Sequence, residues 1–492
     1  MHLKLRPQFS LVLLFFSAIL GPKEMCLAQC AGLASTPRAA ADCVANSVPL
    51  DKVTAIDPNR SYTLAELIDI AEHNNPRTRI VWERAKQKAD QLNIARSAYF
   101  PVLAAAAVFA DERLINPFPK PLAPRGYVMV EVPTVEPEVT LEYLLFDFGK
   151  REAKVDAATA QKLAAGANFI QINQEVAFRV ASGYYKLLTA QERLQAAQET
   201  LKTAQTTQDA AEHQLDNGRA TLPDVLNARA ETSQAVFDLE SADGDEKIAR
   251  VALAEVIGVE PSPNIAIDAQ KNAPLPDSLA LSIDVLIDRA LADRPDLMAQ
   301  AATIRAADDA VRATRAEYRP KIVLSGSAAQ TSIWPTADYG ELGSTSQPTW
   351  SASLEIQWRI FDGGARKNEL AIAESKRREE QNEMTEKRDQ ATREVWTAYI
   401  AFRTALRKQQ AAVALLDSAS TSYSASLDAY KYGVKNLIDV VTAEKQLAQA
   451  RLSGVSARSQ LLLEAVNLEF VTGNLLRSLP PATKPQTQDG LK

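Results

Sequence analysis

The chain states its plan twice. ARSAYFP ends at Pro101 and TRAEYRP at Pro320, LIDIAEHNNP ends at Pro76 and LIDRALADRP at Pro295, and both pairs stand 219 residues apart. Further on the offset is 215: LLFDFGKREA places Phe146 and Asp147 on Phe361 and Asp362 of RIFDGGARKN. The same offset carries Tyr184 onto Tyr399, Gly218 onto Gly433, and LPDVLNARAETSQA (222–235) onto LIDVVTAEKQLAQA (437–450). Internal repeats fix organisation before any local reading. They divide the chain into a first repeat over 62–259, a Pro-rich linker over 260–280, a second repeat over 281–474 and a tail over 475–492.

Each repeat has one layout. A helical stretch (63–98, and 282–317) runs into a proline, and two extended segments follow, about 99–111 and 135–147 in the first half, 320–333 and 349–361 in the second. Turn-rich loops, NPFPKPLAPRG and WPTADYGELGSTSQP, separate the members of each pair. Helix signals then take over 150–216, 219–257, 365–431 and 435–473: no proline lies between Pro348 and Pro480, and only Pro223 between Pro137 and Pro261. One glycine interrupts each run, Gly218 in LDNGRATLPDV and Gly433 in YKYGVKNLIDV, as the turn of a helical hairpin requires. At about 1.5 Å per residue, 150–216 is about 100 Å long, while 219–257 and 63–98 are about 58 and 54 Å. The two short helices add to the long one, which predicts a rod with strands at one end and Gly218 and Gly433 at the other.

The segment WSASLEIQWRIFDGG (350–364) alternates strictly. Trp350, Ala352, Leu354, Ile356, Trp358 and Ile360 share one face, and Ser351, Ser353, Glu355, Gln357 and Arg359 the other. Its two tryptophans are roughly 26 Å apart, close to the ~25 Å apolar band of a membrane barrel wall. In VTLEYLLFDF the outward row reads Leu141, Tyr143, Leu145, whereas VLAAAAVFA shows no usable alternation. Four strands leave two open edges whose unpaired backbone groups cost several kcal/mol each in lipid, so closure needs further copies of the chain. Two copies make a filled eight-stranded barrel, and three make a twelve-stranded one wide enough for a polar lumen.

Lys4 and Arg6 precede the apolar run LVLLFFSAIL (11–20), which reads as a signal peptide over 1–28 followed by an N-terminal extension over 29–61. Cleavage after Ala28 leaves Cys30 and Cys43, a pair that either closes a disulfide in an oxidising compartment or stays as free thiols; the other reading is lipidation of Cys30, since LAQC resembles a lipobox with Gln29 at the small-residue position. With 55 basic and 61 acidic side chains the formal charge is -6, which offers no footprint for nucleic acid. The histidines, His2, His73 and His213, are scattered, and no nucleophile elbow, phosphate loop or metal-ligand cluster stands out, so neither an enzyme nor a cofactor or metal is expected.

The duplicated layout and the paired motifs NGRATLPDV and YGVKNLIDV resemble the TolC-like outer-membrane efflux proteins over about 62–474. The resemblance implies a mainly α fold with a membrane β-barrel: a homotrimer whose duplicated helical hairpins form a periplasmic α-barrel and whose four strands per chain complete a twelve-stranded barrel. It implies an outer-membrane exit duct for a tripartite efflux pump or type I secretion system, partnered by a periplasmic membrane-fusion adaptor, an inner-membrane transporter and outer-membrane lipid. Carried over residue by residue, Gly218, Arg219, Ala220, Leu222, Gly433, Val434 and Leu437 match the adaptor-docking tip. Asp224, Tyr430, Lys435 and Asp439 match the periplasmic gate, and Trp350, Leu354, Ile356, Trp358 and Ile360 become the membrane-facing strand. Two alternatives stay open at the tip: the glycines serve only as left-handed turn residues, and Asp224 and Asp439 only cap the returning helices. Thr442 stands where a second aspartate ring is expected, Pro223 replaces a hydroxyl residue, and Lys435 replaces an arginine and loses its fork geometry. The competing reading is a soluble periplasmic coiled-coil adaptor, which needs one hairpin flanked by β-rich domains rather than two hairpins.

Overall fold

The computed structural model describes residues 56–57, 60–120, 123–260, 265–268, 282–338 and 340–475. The signal peptide, most of the N-terminal extension with Cys30 and Cys43, most of the linker and residues 476–492 of the tail lie outside them. The described elements belong to the compact unit Asp57–Lys492. They run β1 (Ser61–Tyr62), α1 (Leu64–Asn74), α2 (Pro76–Ser97), β2 (Val102–Pro117), β3 (Tyr127–Phe146), α3 (Lys150–Asp216), α4 (Leu222–Ile257) and β4 (Ala266–Ile267). The second repeat continues with α5 (Ile283–Asp293), α6 (Pro295–Ala316), β5 (Lys321–Ile333), β6 (Thr336–Ala337), β7 (Gly340–Glu341), β8 (Thr345–Gln357), α7 (Ala365–Lys431) and α8 (Leu437–Val471).

Helices α3 and α7 are each 67 residues long, about 100 Å. Helix α3 packs against α2 and α4 of its own repeat and against α6 and α8 of the other, while α7 packs against α5, α6 and α8. The seams are narrow because alanine supplies much of the core. Ala153, Ala160, Ala177, Ala181 and Ala211 on α3 are buried, and a larger cluster gathers Leu286 of α5, Val395 and Phe402 of α7 and Leu461 and Leu468 of α8.

The stretches read as single helices over 63–98 and 282–317 are each two. Asn75 and Arg294 are extended (φ −67°, ψ 125°; φ −68°, ψ 124°), because a residue before proline avoids the helical region, and Pro76 and Pro295 restart the helix at its first position. Each break abuts the end of a long hairpin arm. A Cβ on Gly258 would sit 3.0 Å from the Asn75 Cα, and one on Gly473 would sit 3.0 Å from the Asp293 carbonyl oxygen, with φ of +82° and +75°. The glycine that ends each hairpin thus packs on the residues just before the proline, and each repeat carries the same joint.

The sheet is antiparallel, ordered β2-β3-β5-β8, with the short β6 paired to the start of β3 and β7 paired to β6. The strands differ from the sequence reading at their ends. Strand β2 continues to Pro117, and β3 begins at Tyr127, because Asp111, Glu112 and Arg113 pair with Pro133, Val132 and Glu131 and Arg113 meets Glu131 at 3.4 Å. Strand β8 spans 345–357 rather than 349–361; its last partner is Lys321, and Pro320 before it offers no N–H to extend the ladder. Trp358 and Ile360 therefore lie past the strand. Leu145 is the odd residue of a bulge between Leu144 and Phe146, so Phe146, opposite Ile322, takes the outward place.

The strand-to-helix junction is also built twice. The Asp147 carboxylate accepts from the Arg151 N–H (2.8 Å), and the Arg151 guanidinium donates to the carbonyls of Ala98 (3.2 Å), Leu144 (2.6 Å) and Leu145 (3.0 Å) while lying 5.3 Å from the Tyr99 ring centroid. In the second repeat Arg366 binds the Asp362 carboxylate, reaches the carbonyls of Glu317 (3.4 Å) and Ile360 (3.3 Å), and lies 5.0 Å over Tyr318. Each arginine satisfies carbonyls that neither the ending strand nor the starting helix can pair. Arg366→Ala leaves Asp362 and two carbonyls short of a donor and is expected to lower the thermal unfolding midpoint. Arg366→Lys is expected to recover only part, since it loses the fork. Thermal unfolding monitored by circular dichroism checks the order wild type, lysine, alanine.

Candidate functional sites at the hairpin tips and the sheet

At the first tip, α3 ends in a left-handed Gly218 (φ +72°) whose N–H donates to the Leu215 carbonyl (2.8 Å), and the N–H groups of Arg219 and Ala220 return to the Gln214 carbonyl (2.8 and 3.1 Å). The Asp224 carboxylate accepts from the Thr221 N–H (2.9 Å) and hydroxyl (2.6 Å), closing a capping box, and these bonds hold its carboxyl below the usual range. At the second tip Gly433 (φ +77°) donates to Tyr430 (2.9 Å), and the Asn436 side chain caps α8 by accepting from the Asp439 N–H (2.9 Å). The two aspartates therefore differ. Asp224 is a cap residue, whereas the exposed Asp439 carboxylate holds no hydrogen bond or ion pair among the described residues.

Of the seven tip residues, Gly218, Arg219, Leu222, Gly433 and Val434 are exposed, Val434 at 79%, and Ala220 is half-buried. Leu437 is different: at 3% exposure it sits in the tip core with Ala211, Val225, Tyr430 and Val440, so its side chain offers no surface. Tyr430 is buried, its hydroxyl has no hydrogen-bond partner among the described residues, and burial with the nearby Asp224 charge pushes its pKa up. Lys435 donates to the Ser426 hydroxyl (3.2 Å), and Thr442 to the Ile438 carbonyl (2.7 Å).

Sequence reading missed what ties the two hairpins together. Gln214 Nε2 donates to the Lys431 carbonyl (2.9 Å), linking the ends of α3 and α7. Farther from the tip, the Thr207 hydroxyl donates to the Glu444 carboxylate (2.7 Å) and lies 3.2 Å from the Tyr423 hydroxyl. Glu444 is buried, and burial pushes its carboxyl up. The available signal was Glu444 itself, a carboxylate on an otherwise apolar face of α8 between Val440 and Leu447.

The sheet separates two chemistries. Paired rows place Leu103, Leu141, Gly326 and Ala352 on one face with Val139, Ala328 and Trp350, and Tyr143, Leu324 and Leu354. The opposite face carries Glu142, Ser325 and Ser353, and Thr140, Ser327 and Ser351, with the Ser327 and Ser351 hydroxyls 2.9 Å apart. Trp350, Leu354 and Ile356 are exposed, Trp350 at 80%. Trp358 is also exposed and its indole N–H donates to the Tyr318 carbonyl (3.1 Å), which anchors it at the base of the sheet, and Ile360 is exposed beside it. Strands β2 and β8 are the outer members of the four, each paired on one side only. Among the described residues no helix is long and apolar enough to cross a membrane.

The family model described as outer membrane efflux protein matches residues 67–259 and 286–474, one match to each repeat. The chain belongs to the outer membrane efflux protein family. This efflux-family chain is 28% identical over 431 residues to Protein CyaE of Bordetella pertussis, covering 86% of each chain. It is 25% identical over 342 residues to the outer membrane efflux protein BepC of Brucella suis, covering 68% of this chain and 72% of that one. The crystal structure of a membrane protein from Pseudomonas aeruginosa superposes on it with a TM-score of 0.71 at 25% identity, covering 86% of this chain and 97% of the other. A soluble adaptor is not favoured, and the outer membrane is the place of this efflux protein.

Two outcomes follow from the tip. Leu437→Ala is expected to cost about 2–5 kcal/mol, as large-to-small core changes do, while Val434→Ala leaves stability within about 0.5 kcal/mol; chemical unfolding of the two variants checks this. Because the folded pKa of Glu444 is raised, its stabilising contribution is present below the unfolded value of about 4.5 and is lost as pH rises through the folded value. Glu444→Gln is therefore expected to raise Tm at pH 7.5 and to bring no gain at pH 4, measured by differential scanning fluorimetry.

Proposed function

We propose that three copies of this chain close their sheets edge to edge into a twelve-stranded outer-membrane barrel continued by a periplasmic tunnel of helices. The assembly is the exit duct of a tripartite efflux pump or type I secretion system. The observation that carries this reading is a sheet with one apolar face, one polar face and two half-paired outer strands: lipid accepts the first, a water-filled lumen the second, and a neighbouring copy the edges. Trp350, Leu354 and Ile356 face lipid in this arrangement, and Trp358 and Ile360 mark the base of the barrel.

The exposed tip residues Gly218, Arg219, Leu222, Gly433 and Val434 form the surface that meets a helical-hairpin periplasmic adaptor coupled to an inner-membrane transporter. Tyr430, Asp224, Lys435 and Asp439 gate the duct. The unpartnered Asp439 carboxylate supports a three-fold ring at the tunnel mouth, where close like charges favour cations. Asp439→Ala is expected to weaken block by divalent cations in planar-bilayer recordings at least about tenfold, leaving assembly intact; unchanged block would remove Asp439 from the pore. Val434→Asp together with Leu222→Asp is expected to abolish export of the cargo while pore conductance persists.

A further inference from the structure

Where strands give way to helices, a cavity of about 770 Å³ opens on the polar side of the sheet. Leu144, Lys321 and Gln357 of the polar rows line it, whereas Phe146, Ile322 and Ile356 of the apolar row do not; Trp358, past the end of β8 and out of the strand's alternation, lines it as well. Seven of its lining side chains are basic and two acidic. Both acidic groups are already committed, Glu317 to Lys150 (2.8 Å) and Asp147 to Arg151 (3.7 Å), and Arg366 is held by Asp362. That leaves Lys154, Arg319, Lys321 and Arg359, all exposed and without an ion pair among the described residues. Arg319 is set in place by the Phe148 ring, whose centroid lies 5.6 Å from its guanidinium carbon.

We infer that this cavity is a binding station for an acidic polypeptide: a carboxylate-rich stretch that engages Lys154, Arg319, Lys321 and Arg359 together. The four cations come from four separate segments, α3, the turn before β5, β5 itself and the chain after β8, around a cavity too large for one small ion to bridge. A ligand with several carboxylates on one backbone can reach them all. Farther along the same polar face stand Glu142 and Glu355, which repel such a ligand and confine it to the junction. Under the proposed function the station lies on the wall of the duct, in the path of outgoing cargo.

The test uses the detergent-solubilised, assembled protein and a fluorescein-labelled octaglutamate peptide, followed by anisotropy in 50 mM and 500 mM NaCl. Saturable binding is expected in low salt and its loss in high salt. The variant carrying Lys154→Gln, Arg319→Gln, Lys321→Gln and Arg359→Gln is expected to bind about tenfold more weakly or worse. In the wild-type protein, a benzophenone-bearing octaglutamate is expected to cross-link to the bases of β5 and β8. Absence of wild-type binding, equal affinity in the variant or cross-links confined elsewhere overturns the station. So does displacement of the peptide by inorganic phosphate at an equal concentration, which would mark a small-ion site. Conductance is recorded on the same preparation: peptide binding without pores contradicts the duct and leaves the station standing, and pores without peptide binding do the reverse.

Discussion

A backbone N–H or C=O with no partner cannot rest in hydrocarbon, and that constraint organises this protein. Its sheet presents a greasy face suited to lipid, so its two half-paired edges need partners that water cannot supply. Adding identical copies around an axis satisfies both edges without new sequence. In the proposed assembly the same closure turns the polar rows inward and makes a lumen, so membrane insertion, assembly and the aqueous path share one physical cause.

The junction between sheet and helices is where the chain must change its hydrogen-bonding pattern, and it is the part the duplication copies most faithfully in chemistry. Asp147 with Arg151 and Asp362 with Arg366 start α3 and α7, collect loose carbonyls from the end of β3 and from the chain just after β8, and lean on Tyr99 and Tyr318. At the opposite ends of the long helices, glycine turns and caps reverse the chain with little side-chain bulk, leaving an exposed surface over a core that includes Leu437. The proline breaks packed on Gly258 and Gly473 join short helices to long ones between these extremes.

Much of this was legible in the sequence because repetition and periodicity report backbone geometry directly. Offsets of 219 and 215, proline-free runs and the alternation from Trp350 to Ile356 reveal a duplicated, mainly helical protein with two-faced strands. The arginines of the junction were visible as an Asp-x-x-x-Arg spacing in both halves but carry no local signal of their partners, which arrive from other elements. Strand β2 was legible as an extended segment but its two faces were not, because alanine sits equally well on either, and only its register with β3 aligns Leu103 and Phe109 with Leu141 and Val135. The bulge at Leu145 and the stop after Gln357 depend on the facing strand, so alternation alone overran them. At the tips, sequence identified the turn residues but could not tell an exposed Val434 from a buried Leu437, since both are apolar residues beside the same glycine.

The most direct measurement is hydrogen–deuterium exchange of the backbone amides of β2 and β8 in the detergent-extracted protein, compared with those of β3 and β5. Closure by neighbouring copies predicts that the outer strands exchange as slowly as the inner ones. Outward amides of β2 and β8 exchanging at the rate of unprotected backbone, while β3 and β5 stay protected, would contradict it.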